Sequence, residues 1–139
     1  MPSPLVTTEW LAERLDRADI QIIDASWFLP MESRDGGQEY LEGHIPGAIF
    51  FDIDAMSDQD QPLPHMLPSP EAFAKAAGHL GLNPDATQVI YDTMGIRSSA
   101  RVWWTLRAMG FASVFVLDGG MKAWRAEARP EKAGWHAFR

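Results

Sequence analysis

The sequence predicts an α/β fold, with a central mostly parallel sheet of about five strands and helices on both faces. Short uninterrupted apolar runs, such as Gln21-Ile22-Ile23-Asp24 and Ser113-Val114-Phe115-Val116-Leu117, suit strands covered on both sides. Helix patterns with recognisable start and stop residues lie between those runs. Strands alternating with helices in this order call for right-handed crossovers in a parallel sheet.

Taken in order, Leu5-Val6 is a candidate short first strand, and Thr8 is positioned to cap a helix from Glu9 to Leu15. In that helix Trp10, Leu11 and Leu15 form one apolar stripe. Strand Gln21–Asp24 follows, then a stretch from Ser26 to Pro46 that reads as irregular, with glycines at 36 and 37. Ala48-Ile49-Phe50-Phe51 is the next strand, and Asp52 to Pro68 is again irregular, with prolines at 62, 64 and 68. Ser69-Pro70-Glu71 opens a helix with a capping hydroxyl, a proline at the first position and an acid near the positive dipole end. That helix runs to Leu80, and Gly81 ends it. Strand Val89-Ile90-Tyr91 leads through a loop into the strongest helix pattern, Ser98 to Met109, where Val102, Leu106 and Met109 share a face. Strand 113–117 and a helix from Met121 to Ala128 complete a single domain, residues 5–128. Residues 129–139 lack periodicity and read as a tail or the start of an interdomain linker.

A chain of 139 residues is one domain by size and buries enough surface for its own core. Its net charge of −7 repels phosphate backbones, which argues against a nucleic-acid partner. There is no cysteine, so disulfides, thiolate metal sites and thiol chemistry are excluded for this sequence. Neither a secretory signal nor an apolar run of membrane-spanning length is visible, so the expectation is a cytoplasmic protein with no membrane partner.

Asp24, Asp52, Asp54, Asp92 and Asp118 all fall at or just beyond expected strand ends, which in a parallel sheet share one edge. They either form an acidic cation pocket or cap turns and helix starts. The histidines at 44, 65, 79 and 136 show no ligand spacing, and no metal or cofactor is expected. His44, in a tight turn, reads as a structural hydrogen-bonding group. Trp103 and Trp104 are adjacent on one helix and cannot share a face, so one turns outward or meets a partner.

The sharpest local feature is the loop Asp92-Thr93-Met94-Gly95-Ile96-Arg97, between a strand and a helix. Such a turn aims backbone N–H groups at its first residue and makes an anion cradle, with Arg97 able to supply a countercharge. A cysteine at position 92 would have its thiol pKa lowered there. Asp92 instead fills the cradle with its own carboxylate, or the loop is a plain strand-to-helix turn.

Three segments resemble the rhodanese-type domains. Gly43-His44-Ile45-Pro46-Gly47-Ala48, after Glu39-Tyr40-Leu41, looks like their turn motif. Residues Val116 to Trp124 look like their closing strand–turn–helix, and the 92–97 loop stands where their catalytic loop stands. Phe50–Asp54, Leu63–Pro68 and Arg101–Trp104 are further similar to the N-terminal, non-catalytic domain of tandem-rhodanese thiosulfate and 3-mercaptopyruvate sulfurtransferases. The resemblance implies a structural half that packs on a catalytic rhodanese domain, in the same parent chain or a separate one, the catalytic half carrying the sulfur-accepting cysteine. Asp92 replaces that nucleophile, so no catalytic residue is expected here and the isolated chain should be inactive. The spacing from Asp92 to Arg97 matches the sulfurtransferase loop, one residue shorter than in related phosphatases of the Cdc25 type. Trp27, Phe28, Leu29 and Pro30, with His65, Met66, Leu67 and Pro68, are the expected domain interface. The alternatives are a stand-alone anion-binding or regulatory module, and an aspartate-nucleophile hydrolase, which would want a second acid that Thr93-Met94 does not supply.

Overall fold

A computed structural model describes residues 5–15, 17–26, 36–51, 75, 78, 80–93 and 98–133. Its elements are β1 (Leu5–Val6), α1 (Thr8–Ala12), β2 (Ile20–Asp24), α2 (Gly36–Glu42), β3 (Ile49–Phe50), β4 (Thr87–Tyr91), α3 (Ser99–Ala108), β5 (Val114–Leu117) and α4 (Gly120–Ala126). The five strands form one sheet in the order β1-β5-β4-β2-β3, and every pairing is parallel. The register is set by Ile23 opposite Ile90 and by Val116 opposite Ile90 on its other side.

Successive residues of the central strands point to opposite faces, and each face builds its own core. Ile23, Ile90 and Val114 pack with Val102 and Leu106 of α3. Ile22, Val89 and Leu117 pack on the other side with Leu11 of α1, Tyr40 of α2, and Met121 and Trp124 of α4. The uninterrupted apolar runs are explained by this two-sided burial. No helix among the described residues is long and apolar enough to cross a membrane.

Several element boundaries differ from expectation. Thr7, not Thr8, caps α1, its side chain accepting from the Trp10 amide at 3.0 Å. Thr8 is helical and donates its hydroxyl to Glu127. The helix also stops at Ala12 rather than Leu15. The stretch 26–46, read as irregular, contains α2. Its two glycines sit in the first turn, and tertiary burial of Tyr40 outweighs their low propensity. At the closing motif Gly120 joins the helix, which ends at Ala126 instead of Ala128. Gly119, at φ +82°, turns the chain from β5 into α4, and a Cβ there would lie 2.5 Å from that of Ala123. Lys75, Gly78 and Leu80 are helical, whereas the start of that helix at Ser69 lies outside the described residues.

Residues 129–132 fold back on the domain. The backbones of His44 and Lys132 exchange two hydrogen bonds of 2.8 Å, and the Trp124 indole donates to the Pro130 carbonyl at 2.7 Å. Arg125 donates to Gly43 O at 3.3 Å and to Glu131 at 3.2 Å.

Candidate functional site

β4 lies between β2 and β5 at the middle of the sheet. The chain leaves β2 towards β3 on one side and leaves β4 towards β5 on the other, with α2 and α3 packed on opposite faces. The ends of β2 and β4 therefore flank a topological switch point, the place where open α/β sheets form a crevice. Asp24 closes β2 and Asp92 follows β4 at this point, and both are buried.

Asp92 is fully buried and faces the start of α3. Its Oδ2 accepts from the Ser99 amide at 2.7 Å and lies 3.3 Å from the Ser98 hydroxyl oxygen. Ser98, the residue before the helix, makes no capping bond with its own side chain. Asp92 takes that part from seven residues upstream in sequence, placing a negative group at the positive end of the helix dipole. The Met121 amide, in the first turn of α4, donates to the Asp92 carbonyl at 2.9 Å. Residue 92 is thus held by the first turns of two helices. Its Oδ1 and the Ser99 hydroxyl are buried without hydrogen-bond partners among the described residues.

The loops leaving β2 and β4 are fastened to each other. The Ser26 hydroxyl accepts from the Thr93 amide at 3.1 Å and lies 2.9 Å from the Thr93 hydroxyl. The Ser98 hydroxyl donates to Ala25 O at 2.6 Å. Asp24 accepts from the Ser26 amide at 2.9 Å and from the Tyr91 hydroxyl, which in turn accepts from the Ile45 amide at 3.2 Å. Burial pushes the Asp24 carboxyl up to about 6; bonds from Ser26 and Tyr91 offset part of that, and the neighbouring Asp92 charge adds to it. The Tyr91 hydroxyl is pushed well above its ordinary value, first by burial and then by the Asp24 charge.

Of the five strand-end aspartates, Asp24 and Asp92 converge, Asp118 is exposed, and Asp52 and Asp54 lie outside the described residues. No group of three or more His, Asp or Glu suited to a metal occurs among the described residues. His44 is buried, its Nδ1 2.8 Å from Tyr40 O and its ring stacked on Tyr40. Asp92 and Thr93 are placed, whereas Met94, Gly95, Ile96 and Arg97 lie outside the described residues, as do Trp27–Pro30 and His65–Pro68. Ser26, Tyr91 and Ser99 were missed as members of the site. The Asp-x-Ser spacing at 24–26 and the serine pair at 98–99 were the available signals.

A rhodanese-like domain model matches residues 7–127, most of the chain. The chain belongs to the rhodanese-like domain family. It is 50% identical over 123 residues to the 3-mercaptopyruvate sulfurtransferase of Escherichia coli K12, covering 88% of this chain and 44% of that protein. It is likewise 50% identical over 123 residues to the mitochondrial thiosulfate/3-mercaptopyruvate sulfurtransferase 1 of Arabidopsis thaliana, covering 88% of this chain and 32% of that protein. The crystal structure of the 3-mercaptopyruvate sulfurtransferase SseA from Escherichia coli superposes with a TM-score of 0.94 at 45% identity, covering 99% of this chain and 53% of that one. The chain therefore spans between a third and about half the length of these relatives, and it matches their N-terminal part.

Proposed function

We propose that this rhodanese-like domain is the non-catalytic half of a thiosulfate/3-mercaptopyruvate sulfurtransferase and packs on a catalytic rhodanese domain. The single observation that carries the proposal is the state of residue 92. At the head of the loop where the family's nucleophile stands there is a fully buried carboxylate, already bonded to the α3 amide that would otherwise face a sulfur anion. A carboxylate cannot carry sulfur as a persulfide, and the sequence holds no cysteine to replace it. The half-length match to sulfurtransferases supports a second domain as the partner.

In this role Asp92 substitutes for an anionic ligand and keeps the switch point rigid, while the catalytic half supplies the thiol. The interface expected at Trp27–Pro30 and His65–Pro68 belongs to the same proposal. A stand-alone anion-binding module is second, because the Asp92 carboxylate already takes the Ser99 amide that an anion would need. An aspartate-nucleophile hydrolase fits less well, since the carboxylate is shut away from solvent. The test is a sulfur-transfer assay on the purified chain, with thiosulfate or 3-mercaptopyruvate as donor and cyanide or a thiol as acceptor. No turnover is expected, and activity above a protein-free blank refutes the proposal.

A further inference from the structure

The outward face of α3 is unused by the site, and the tryptophan pair noted in the sequence divides there. Trp103 turns inward, its indole donating to Val114 O at 2.9 Å. Trp104 is 56% exposed. At roughly 3.6 residues per turn, Arg101 and Arg107 lie about 60° to either side of Trp104 and about 9 Å apart along the axis. Ala100 and Ala108 complete the same exposed arc and are too small to cover the indole. Arg101 forms no ion pair among the described residues, and Arg107 spends one N–H on the Ala112 carbonyl at 3.2 Å. The helix carries no acid. On a chain of net charge −7, this is a cationic, aromatic strip.

We infer that the Arg101–Trp104–Arg107 strip of α3 is a docking surface for an acidic protein segment that sets an apolar side chain on the Trp104 indole between two carboxylates. Charge complementarity selects this occupant. The guanidiniums present bidentate donors to carboxylates, and tryptophan and arginine are the residue types that dominate the energy of protein interfaces. A single-stranded nucleic acid would also stack on the indole, but it carries a phosphate at every nucleotide and so runs its charge past the strip onto the acidic remainder of the molecule, whereas two flanking carboxylates end on Arg101 and Arg107. The strip is independent of the Asp92 site and of the sulfurtransferase proposal.

The test follows the Trp104 indole N–H by NMR in the 15N-labelled chain, assigned by its disappearance in Trp104→Phe. Three probes are titrated: a helical peptide with a leucine flanked three residues away on each side by glutamate, the same peptide with lysines for the glutamates, and a short uridine oligomer. Saturable shifts are expected with the glutamate peptide alone, weakening as salt rises. Affinity, read for all variants from the backbone amides of α3, should fall at least about tenfold in Trp104→Ala and in Arg101→Glu/Arg107→Glu, while Arg101→Lys/Arg107→Lys keeps most of it. All three substituted positions are exposed, so unchanged thermal melting will verify that each variant folds. The inference is overturned by no shift with the glutamate peptide, by equal binding of the lysine peptide, or by preference for the oligomer. Indole shifts that depend on protein concentration without any probe would also overturn it, by marking the strip as a contact between copies of the chain.

Discussion

The two ends of β4 solve the same problem in opposite ways. At its start, Gln88 is buried in a neutral amide network. Its Nε2 donates to Gln21 Oε1 at 2.7 Å and to Asn83 O at 3.0 Å, while Gln21 also accepts from the Asn83 amide at 2.8 Å and donates to Gly81 O at 2.8 Å. At its end, two carboxyl groups are buried, Asp92 held by the helix-start amide of Ser99 and Asp24 by the loop amide of Ser26. Each end leaves one buried oxygen unpartnered among the described residues, Gln88 Oε1 and Asp92 Oδ1. The neutral end only has to join strand to strand. The acidic end sits at the switch point and keeps Asp24, whose burial makes stability depend on pH. The difference separates a neutral polar cluster from one whose burial couples stability to pH.

The contrast breaks most visibly through Asp24. Its folded value of about 6 lies above the ordinary 3.8, so the folded state holds a proton that the unfolded chain has lost. That stabilisation is fully present below about pH 4 and disappears as pH rises through 6. Asp24→Asn should remove this slope. Denaturant unfolding from pH 4 to 7 should show the difference between variant and parent shifting by on the order of 3 kcal/mol in favour of the variant, with Tyr91 and Asp92 as the facing groups. A pH-independent difference would mean that Asp24 is solvated.

Gln88→Leu probes the neutral end. It strands the Asn83 carbonyl and should cost about 2 kcal/mol, equally at every pH. A pH-dependent loss would erase the distinction between the two ends. Asp92→Ala removes a cap and should cost about 1–2 kcal/mol. Because the Asp92 charge adds to the upward shift of Asp24, the same variant should also move the Asp24 titration down, visible in its carboxyl carbon resonance.

Much of the fold was legible because burial on both faces leaves a strong mark: Ile22-Ile23 and Val89-Ile90 each feed one residue to either core. α2 was not legible, since Gly36-Gly37 disguise its first turn and the compensating burial of Tyr40 is a tertiary effect. The seat at Asp92 could be located from a strand, a glycine-containing loop and a helix in succession. Its fastening to Ser26 and Ala25 could not, because that depends on β2 lying beside β4, and no local pattern encodes strand order. The capping of α3 was equally hidden: Asp92, far from the helix in local pattern, accepts from the Ser99 amide, while Ser98 makes no side-chain capping bond.

Under the proposed reading, residue 92 occupies an anion's seat at the start of α3, filled here by a carboxylate bonded to the Ser99 amide. Asp92→Cys tests it directly, because the chain has no other cysteine and the titration of thiolate absorbance reports one group. A thiol aimed at the Ser99 amide and the start of α3 should titrate clearly below the ordinary value of about 8.5, with weak or no sulfur transfer in the absence of a catalytic half. A thiol that titrates at or above about 8.5 would contradict the account, leaving Asp92 as an ordinary buried turn residue.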